Sequence, residues 1–150
     1  MNLFEVELQH DDDDPPGYAC DVLRLAKELG AAKLALNVIE LPPGESVCPY
    51  HYESGEEEWI VVLTGHPTVR TPDGESVLGP WDVVFCPMGE AGGHKVTNRS
   101  NEPSRIFIWS NRSDPATTIY PDSNKVGAWP PGKLFKLDDA VDYYQGELGP

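Results

Sequence analysis

Between residues 49 and 110 the chain is divided into short extended-type runs by turn-forming residues at nearly regular intervals. The runs fall at 49–53, 57–64, 67–71, 75–78, 82–86, 93–98 and 104–110. Segments this short bury too little alone, so they must layer against one another or close into a barrel. LALNVIEL, residues 34–41, adds an earlier strand: Leu34, Leu36 and Val38 alternate on one face, and Pro42-Pro43-Gly44 ends it. In TPDGES, Pro72 supplies a fixed φ and Gly74 a permissive one, the chemistry of a hairpin turn. Many short strands with almost no helical periodicity predict an all-β sandwich or barrel. CDVLRLAKELG is the exception: Val22, Leu25, Ala26 and Leu29 recur at helical spacing, with Asp21 as a cap and Gly30 as a stop, predicting a short helix or turn.

Charge and cysteine usage narrow the partners. With 11 Lys and Arg against 25 Asp and Glu, the net charge is -14, a field that repels phosphate backbones and anionic lipid. Nucleic acid and membranes are therefore not expected as partners. Cys20, Cys48 and Cys86 form no close-spaced pair and cannot all pair within one chain, which fits a reducing compartment. The beginning, MNLFEVELQHDDDD, has neither a basic start nor an apolar run of signal-peptide length, so a cytoplasmic location is expected. HDDDDPPG, residues 10–17, reads as a solvated connector, the alternative being a loose cation site of acids around His10.

Chemistry concentrates in two stretches, CPYHYESGEEEWIVVLTG at 48–65 and GPWDVVFCPMGEAGGHKVTN at 79–98. His51 and Glu53 are two apart, so in an extended strand both leave the same face. Glu58 opens a β-branched run that stops at Gly65, and Pro87, Gly89, Gly92 and Gly93 build the turn that delivers His94. The four would meet in one cavity as a metal cup. Imidazole nitrogen and carboxylate oxygen suit a divalent ion such as Mn, Fe, Co, Ni or Zn, with positions left open for water or substrate. Without a metal, carboxylates crowded into one cavity would repel, and one would have a raised pKa fit for general acid or base work. The plainer alternative is a set of ordinary polar residues at a barrel mouth. Glu56 shares parity with Glu58 and reads as a rim charge or reserve ligand.

These residues resemble the two signature motifs of the cupins. The first, Gly, His-x-His, four residues, Glu, six residues, Gly, is matched by Gly44, His51, Glu53, Glu58 and Gly65. The second, Gly, Pro-x-Gly, His, three residues, Asn, is matched by Gly79, Pro87, Gly89, His94 and Asn98. Gly44 lies one residue further from His51 than usual, and the loop from Gly89 to His94 is longer. Glu53 stands where the family has a second histidine, which adds negative charge and favours harder metals over copper. LNVIELPPG, IYPDSNKV and VDYYQGEL also resemble flanking segments of a single-domain bacterial cupin subfamily whose members generally lack an established reaction. The resemblance implies a double-stranded β-helix, a jelly-roll-like barrel over 34–111, with an N-terminal extension over 1–33. A C-terminal extension over 112–150 would pack on the barrel or on a partner subunit. It implies His51, Glu53, Glu58 and His94 as ligands of a divalent metal, and a small-molecule substrate.

Three classes of function follow: a metal-dependent oxygenase, isomerase, epimerase or lyase; a non-catalytic module that binds or senses a small ligand; or a structural protein that keeps only the barrel. The other conspicuous side chains have structural readings. Tyr50 and Tyr52 should cover the outside of the sheet or a subunit contact, His66 should lie on the surface, and Cys48 and Cys86 should be buried, inert thiols. Arg70, Arg99 and Arg105 should pair with the surplus acids. Trp59, Val61 and Leu63 would face away from the cup if Glu58 faces in, and such an outward stripe predicts a homodimer or a covering tail. The tail itself is Pro-rich and punctuated by Tyr120, Trp129, Phe135, Tyr143 and Tyr144.

Overall fold

The computed structural model describes residues 1–10 and 13–149; Asp11 and Asp12 of the acidic connector, and Pro150, lie outside the described residues. The strands are β1 (Gln9–His10), β2 (Asp21–Leu23), β3 (Leu34–Leu41), β4 (Tyr52–Glu53), β5 (Glu58–Thr64), β6 (Thr68–Thr71), β7 (Gly74–Val77), β8 (Val83–Cys86), β9 (Lys95–Thr97), β10 (Ser104–Asn111), β11 (Ala116–Tyr120), β12 (Lys125–Trp129) and β13 (Lys133–Lys136). One short helix, α1 (Leu25–Leu29), lies between β2 and β3.

One layer is a six-stranded sheet ordered β1-β2-β3-β10-β5-β8. The facing layer is made of a three-stranded sheet, β7-β6-β9, and a four-stranded sheet, β13-β12-β11-β4. The isolated bridge His51↔His94 connects these two sheets, and Ser46↔Thr97 pairs β9 with the segment after β3. Ile39, Leu41, Ile60, Val62, Val69, Val96, Ile106 and Ile108 fill the space between the layers. They come from alternating positions, so the apolar face of each strand closes the core. Glu58 precedes Ile60 by two and His94 precedes Val96 by two, so the same alternation turns both inward.

Buried Asn98 ties the barrel together. Its amide donates to the carbonyls of Leu41 and Glu102, both at 2.8 Å, and its oxygen accepts from the Ser100 backbone and hydroxyl. Gly65 ends β5 at φ 81°, where a side chain would run into Pro103 and Ser104. The three arginines pair as expected: Arg70 with Asp122, Arg99 with Glu75 and Arg105 with Glu40. His66 is exposed.

Three local readings need correction. Asp21 is not a helix cap: it lies on β2 with Val22 and meets His10 Nδ1 at 2.9 Å, while Arg24 precedes α1 and Gly30, at φ 70°, stops it. Leu63 faces inward, only 6% exposed, because the β5–β10 register shifts between Arg105 and Ile106 and the extra residue breaks the alternation. The segment after Asn111 holds three strands, which its prolines concealed. Among the described residues no helix is long and apolar enough to cross a membrane.

Candidate functional site

His51 and His94 face each other across a two-way backbone pair: each N–H donates to the other's carbonyl, at 3.1 and 2.8 Å. Opposed residues of an antiparallel pair share a face, and the two ring centroids lie 4.6 Å apart. Local sequence fixes this pairing. A 3-10 turn at Glu90–Gly92 brings the chain back to His94, and a Cβ at Gly92 would overlap the Pro87 carbonyl. Gly89 N–H donates to the Glu53 carbonyl at 2.8 Å, which locks the turn onto β4.

Both rings are held by Nδ1. His51 Nδ1 donates to the Pro49 carbonyl at 3.0 Å and His94 Nδ1 to the Gly92 carbonyl at 2.9 Å. A carbonyl only accepts, so the hydrogen-bond network assigns the proton to Nδ1 in both and leaves Nε2 turned toward the carboxylates. Anchoring of one ring nitrogen to a backbone carbonyl is the arrangement that orients histidine ligands at metal centres.

The carboxylates complete the cluster. Glu58 Oε1 lies 2.9 Å from His94 Nε2, and Glu53 Oε1 lies 3.8 Å from His51 Nε2. Burial opposes a charge on His94, but its contacts with Cys86 and with Glu58 outweigh that and raise its pKa to about 10. His51 is pushed the other way, first by burial and then by the positive His94. The two rings are thus pushed in opposite directions. Burial lifts the Glu53 carboxyl from 4.5 to about 7, with Glu56 and Glu58 adding to the effect and the Thr118 hydroxyl opposing it.

All four expected residues thus come together on the inner face of the barrel. As they stand, no group of three or more His, Cys, Asp and Glu side chains among the described residues is arranged to hold an ion. Glu58 instead closes onto His94. The donor set nonetheless suits a divalent ion, because two Nε2 atoms and two carboxylates converge with their supporting contacts already made.

Three residues at this site, Thr118, Trp129 and Tyr120, were not read as part of it from the sequence. Thr118 on β11 donates to Glu53, within 2.8 and 3.0 Å of its two oxygens, and accepts from Trp129 Nε1 at 3.0 Å. Tyr120 stacks on His51 with centroids 5.9 Å apart. Cys48 Sγ lies 3.4 Å from His51 Nδ1, and Cys86 touches His94. The two thiols read from the sequence as inert thus lie directly beside the histidines. The alternation of ATTIY was the available signal for Thr118 and Tyr120. Glu56 accepts from the Ser113 N–H at 2.7 Å, fixing a loop outside the cluster. Tyr50 lies beneath the Arg70 guanidinium, 4.0 Å from the ring centre. A polar crevice of about 110 Å³ lined by Arg70, Lys95 and Arg99 contains none of the four site residues.

Comparison with known proteins places this geometry. The cupin domain family profile matches residues 37–110. Tetracenomycin polyketide synthase protein TcmJ of Streptomyces glaucescens is 31% identical over 92 residues, which span 61% of this chain and 60% of that protein. A sugar phosphate isomerase of the cupin superfamily from Silicibacter pomeroyi superposes with a TM-score of 0.81 at 22% identity, covering 97% of each chain. A protein of Acidithiobacillus ferrooxidans, provisionally assigned as a sugar phosphate isomerase, gives a TM-score of 0.83 at 23% identity, covering 93% of this chain and 91% of that one. With the two motifs in order, the profile match and the shared barrel, this chain belongs to the cupin superfamily.

Proposed function

We propose that this cupin binds a divalent metal and catalyses an isomerase-type proton transfer next to a carbonyl of a small polar substrate. The observation that carries the reading is the placement of Glu53: its carboxyl is held by the Thr118 hydroxyl and lies 3.8 Å from His51 Nε2, beside two inward-facing imidazoles. His51, Glu58 and His94 would hold the ion, with Glu53 as the fourth candidate ligand. When bound, the ion would supply polarisation of a substrate oxygen.

The remaining work falls to the chain itself. A carboxyl with a pKa near neutrality can both take a proton from carbon and return it to the neighbouring position. Thr118, held in turn by Trp129, aims the Glu53 oxygens and restrains their pKa. The Tyr120 ring covers His51 on one side and keeps water from that flank. The sugar phosphate isomerase names of two structural neighbours support testing phosphorylated aldoses and ketoses first. The polyketide name of the TcmJ relative makes aromatic polyketides the second class to test.

The test is solvent deuterium exchange at the carbon next to the carbonyl, followed by NMR over a panel of sugar phosphates with metal-loaded protein. Exchange with at least one substrate is expected, with its loss in Glu53→Gln. Exchange that persists unchanged in Glu53→Gln contradicts the role given to this residue. No exchange across both substrate classes, together with tight binding of a panel member, would favour a ligand-sensing module.

A further inference from the structure

We infer that the crevice on the outer face of the β7-β6-β9 sheet, lined by Thr68, Arg70, Glu75, Lys95, Thr97 and Arg99, is a binding site for a phosphate group. The register builds it. Thr68 is opposed to Thr97 and Arg70 to Lys95 across β6 and β9, while Arg70 is opposed to Glu75 across β6 and β7. Opposed residues share a face, and Val69 and Val96, which alternate with them, are buried in the core. His94 turns inward with Val96, so Lys95 and Thr97 leave the other side of the same strand. The crevice is therefore back to back with the histidine cluster and separate from it.

Charge singles this crevice out. The chain has only 11 Lys and Arg against 25 Asp and Glu, yet three of those cations line one crevice, with Glu75 as the single acid of the lining. Asp122 pairs with Arg70 from outside the lining, which still leaves three cations against two acids. In a chain so rich in acids, an accessible ammonium would be expected to find a carboxylate. Lys95 has none among the described residues; its nitrogen lies 5.1 Å from the centre of the Tyr18 ring.

The lining also offers donors and lacks acceptors. Arg70 meets Asp122 end-on, and Arg99 meets Glu75 end-on at 2.8 and 2.6 Å. A guanidinium carries five N–H donors, so each such pair leaves donors unused. The Lys95 ammonium and the Thr68 hydroxyl, on a residue only 7% exposed, have no hydrogen-bond acceptor among the described residues. Thr97 Oγ1 is held by Ser46 Oγ at 2.8 Å, and Glu75 is already paired with Arg99. That pair reaches from beyond β9 to β7, over β6, and closes one side of the crevice. The space left is about 110 Å³, more than one water needs at about 30 Å³. Donors from two guanidinium groups, an ammonium and a hydroxyl approach from different sides, which suits the tetrahedral oxygens of phosphate; a planar carboxylate is satisfied by one guanidinium. A net charge of -14 repels polyanions, so the phosphate is that of a small molecule.

Titration of inorganic phosphate into the 150-residue chain, followed by amide NMR, tests this. Chelator treatment beforehand keeps a metal from competing for the ion. One saturable site is expected at low salt, with a Kd of about 1 mM or tighter. The largest shifts should fall within 68–71 and 95–97, on β6 and β9. Lys95→Gln and Arg99→Gln should each weaken binding at least about tenfold, the equivalent of one charge-assisted hydrogen bond. Glu53→Gln, at the histidine cluster, should bind phosphate as the wild type does. Acetate should bind at least about tenfold more weakly than phosphate. A pentose phosphate that shifts the same amides at lower concentration than phosphate makes the ligand a phosphorylated metabolite; the opposite order makes it the free ion. Lys95 and Arg99 both reach solvent, and circular dichroism checks that their variants keep the fold; Thr68→Val replaces either one that does not. No saturable shift at these amides, equal binding in wild type and the crevice variants, acetate binding as tightly as phosphate, or loss of binding in Glu53→Gln overturns the inference.

Discussion

Replacing Thr118 with Val should raise the Glu53 pKa. The hydroxyl is buried, 4% exposed for the residue, and is within 2.8 and 3.0 Å of the two Glu53 oxygens while accepting from Trp129 Nε1. Valine keeps the shape and removes the donor. A hydrogen bond to a charged acceptor is worth about 1.5–3 kcal/mol, and it favours the ionised carboxyl over the protonated one. At about 1.4 kcal/mol per unit, its loss should move Glu53 upward from about 7 by roughly one to two units. The assay is a carbon-13 NMR titration of side-chain carboxyls in chelator-treated protein, with Glu53 assigned through Glu53→Gln. Thr118→Ser, which retains the hydroxyl, should titrate like wild type. An unmoved or lowered Glu53 pKa in a folded Thr118→Val protein would refute the assigned hydrogen-bond role.

Other consequences follow from the same site. Glu53 in the folded chain holds its proton to about pH 7 against 4.5 when unfolded, so folding should lose about 3 kcal/mol as pH rises through that window. His94 adds a loss of the same sign from 6.5 to about 10, because its raised pKa stabilises the fold only while the ring stays protonated. Denaturant titrations of metal-free protein should therefore show stability falling from pH 5 to 9, with the lower part of the fall absent in Glu53→Gln; a flat or rising profile contradicts this. Burial, then the Glu58 charge, pushes the Cys48 thiol well above 9, and burial first raises Cys20 to about 11. Both should react slowly with a thiol reagent at neutral pH and rapidly once unfolded, and fast native labelling of Cys48 would oppose that. Gly92→Ala forces a Cβ onto the Pro87 carbonyl, which should cost about 1–3 kcal/mol and lower the melting temperature; unchanged melting contradicts the tight turn.

The barrel strands were readable because they obey local rules. The run at 57–64 emerges as Glu58–Thr64 and the run at 104–110 as Ser104–Asn111, each bounded by turn residues and alternating in burial. Alternation failed at Leu63 because the register shift there depends on pairing with β10, which nothing within β5 announces. Helical spacing misled at Val22, which lies on a three-residue strand and pairs with Gln9 and Ile39. The four candidate site residues were legible from parity and motif. Thr118 and Trp129 were not, because their relation to Glu53 depends on β11 crossing back to a two-residue strand 65 positions earlier. Their role is a property of topology.

The central claim is that His51, Glu58 and His94 hold one metal ion beside Glu53. Calorimetric titration of Mn, Co, Ni and Zn into chelator-treated wild type, His51→Ala and His94→Ala tests it most directly. One ion per chain is predicted for the wild type with at least one of these metals, and loss of that binding in each variant while the fold persists. Binding of equal stoichiometry and affinity in all three proteins, or none in the wild type, would contradict the account.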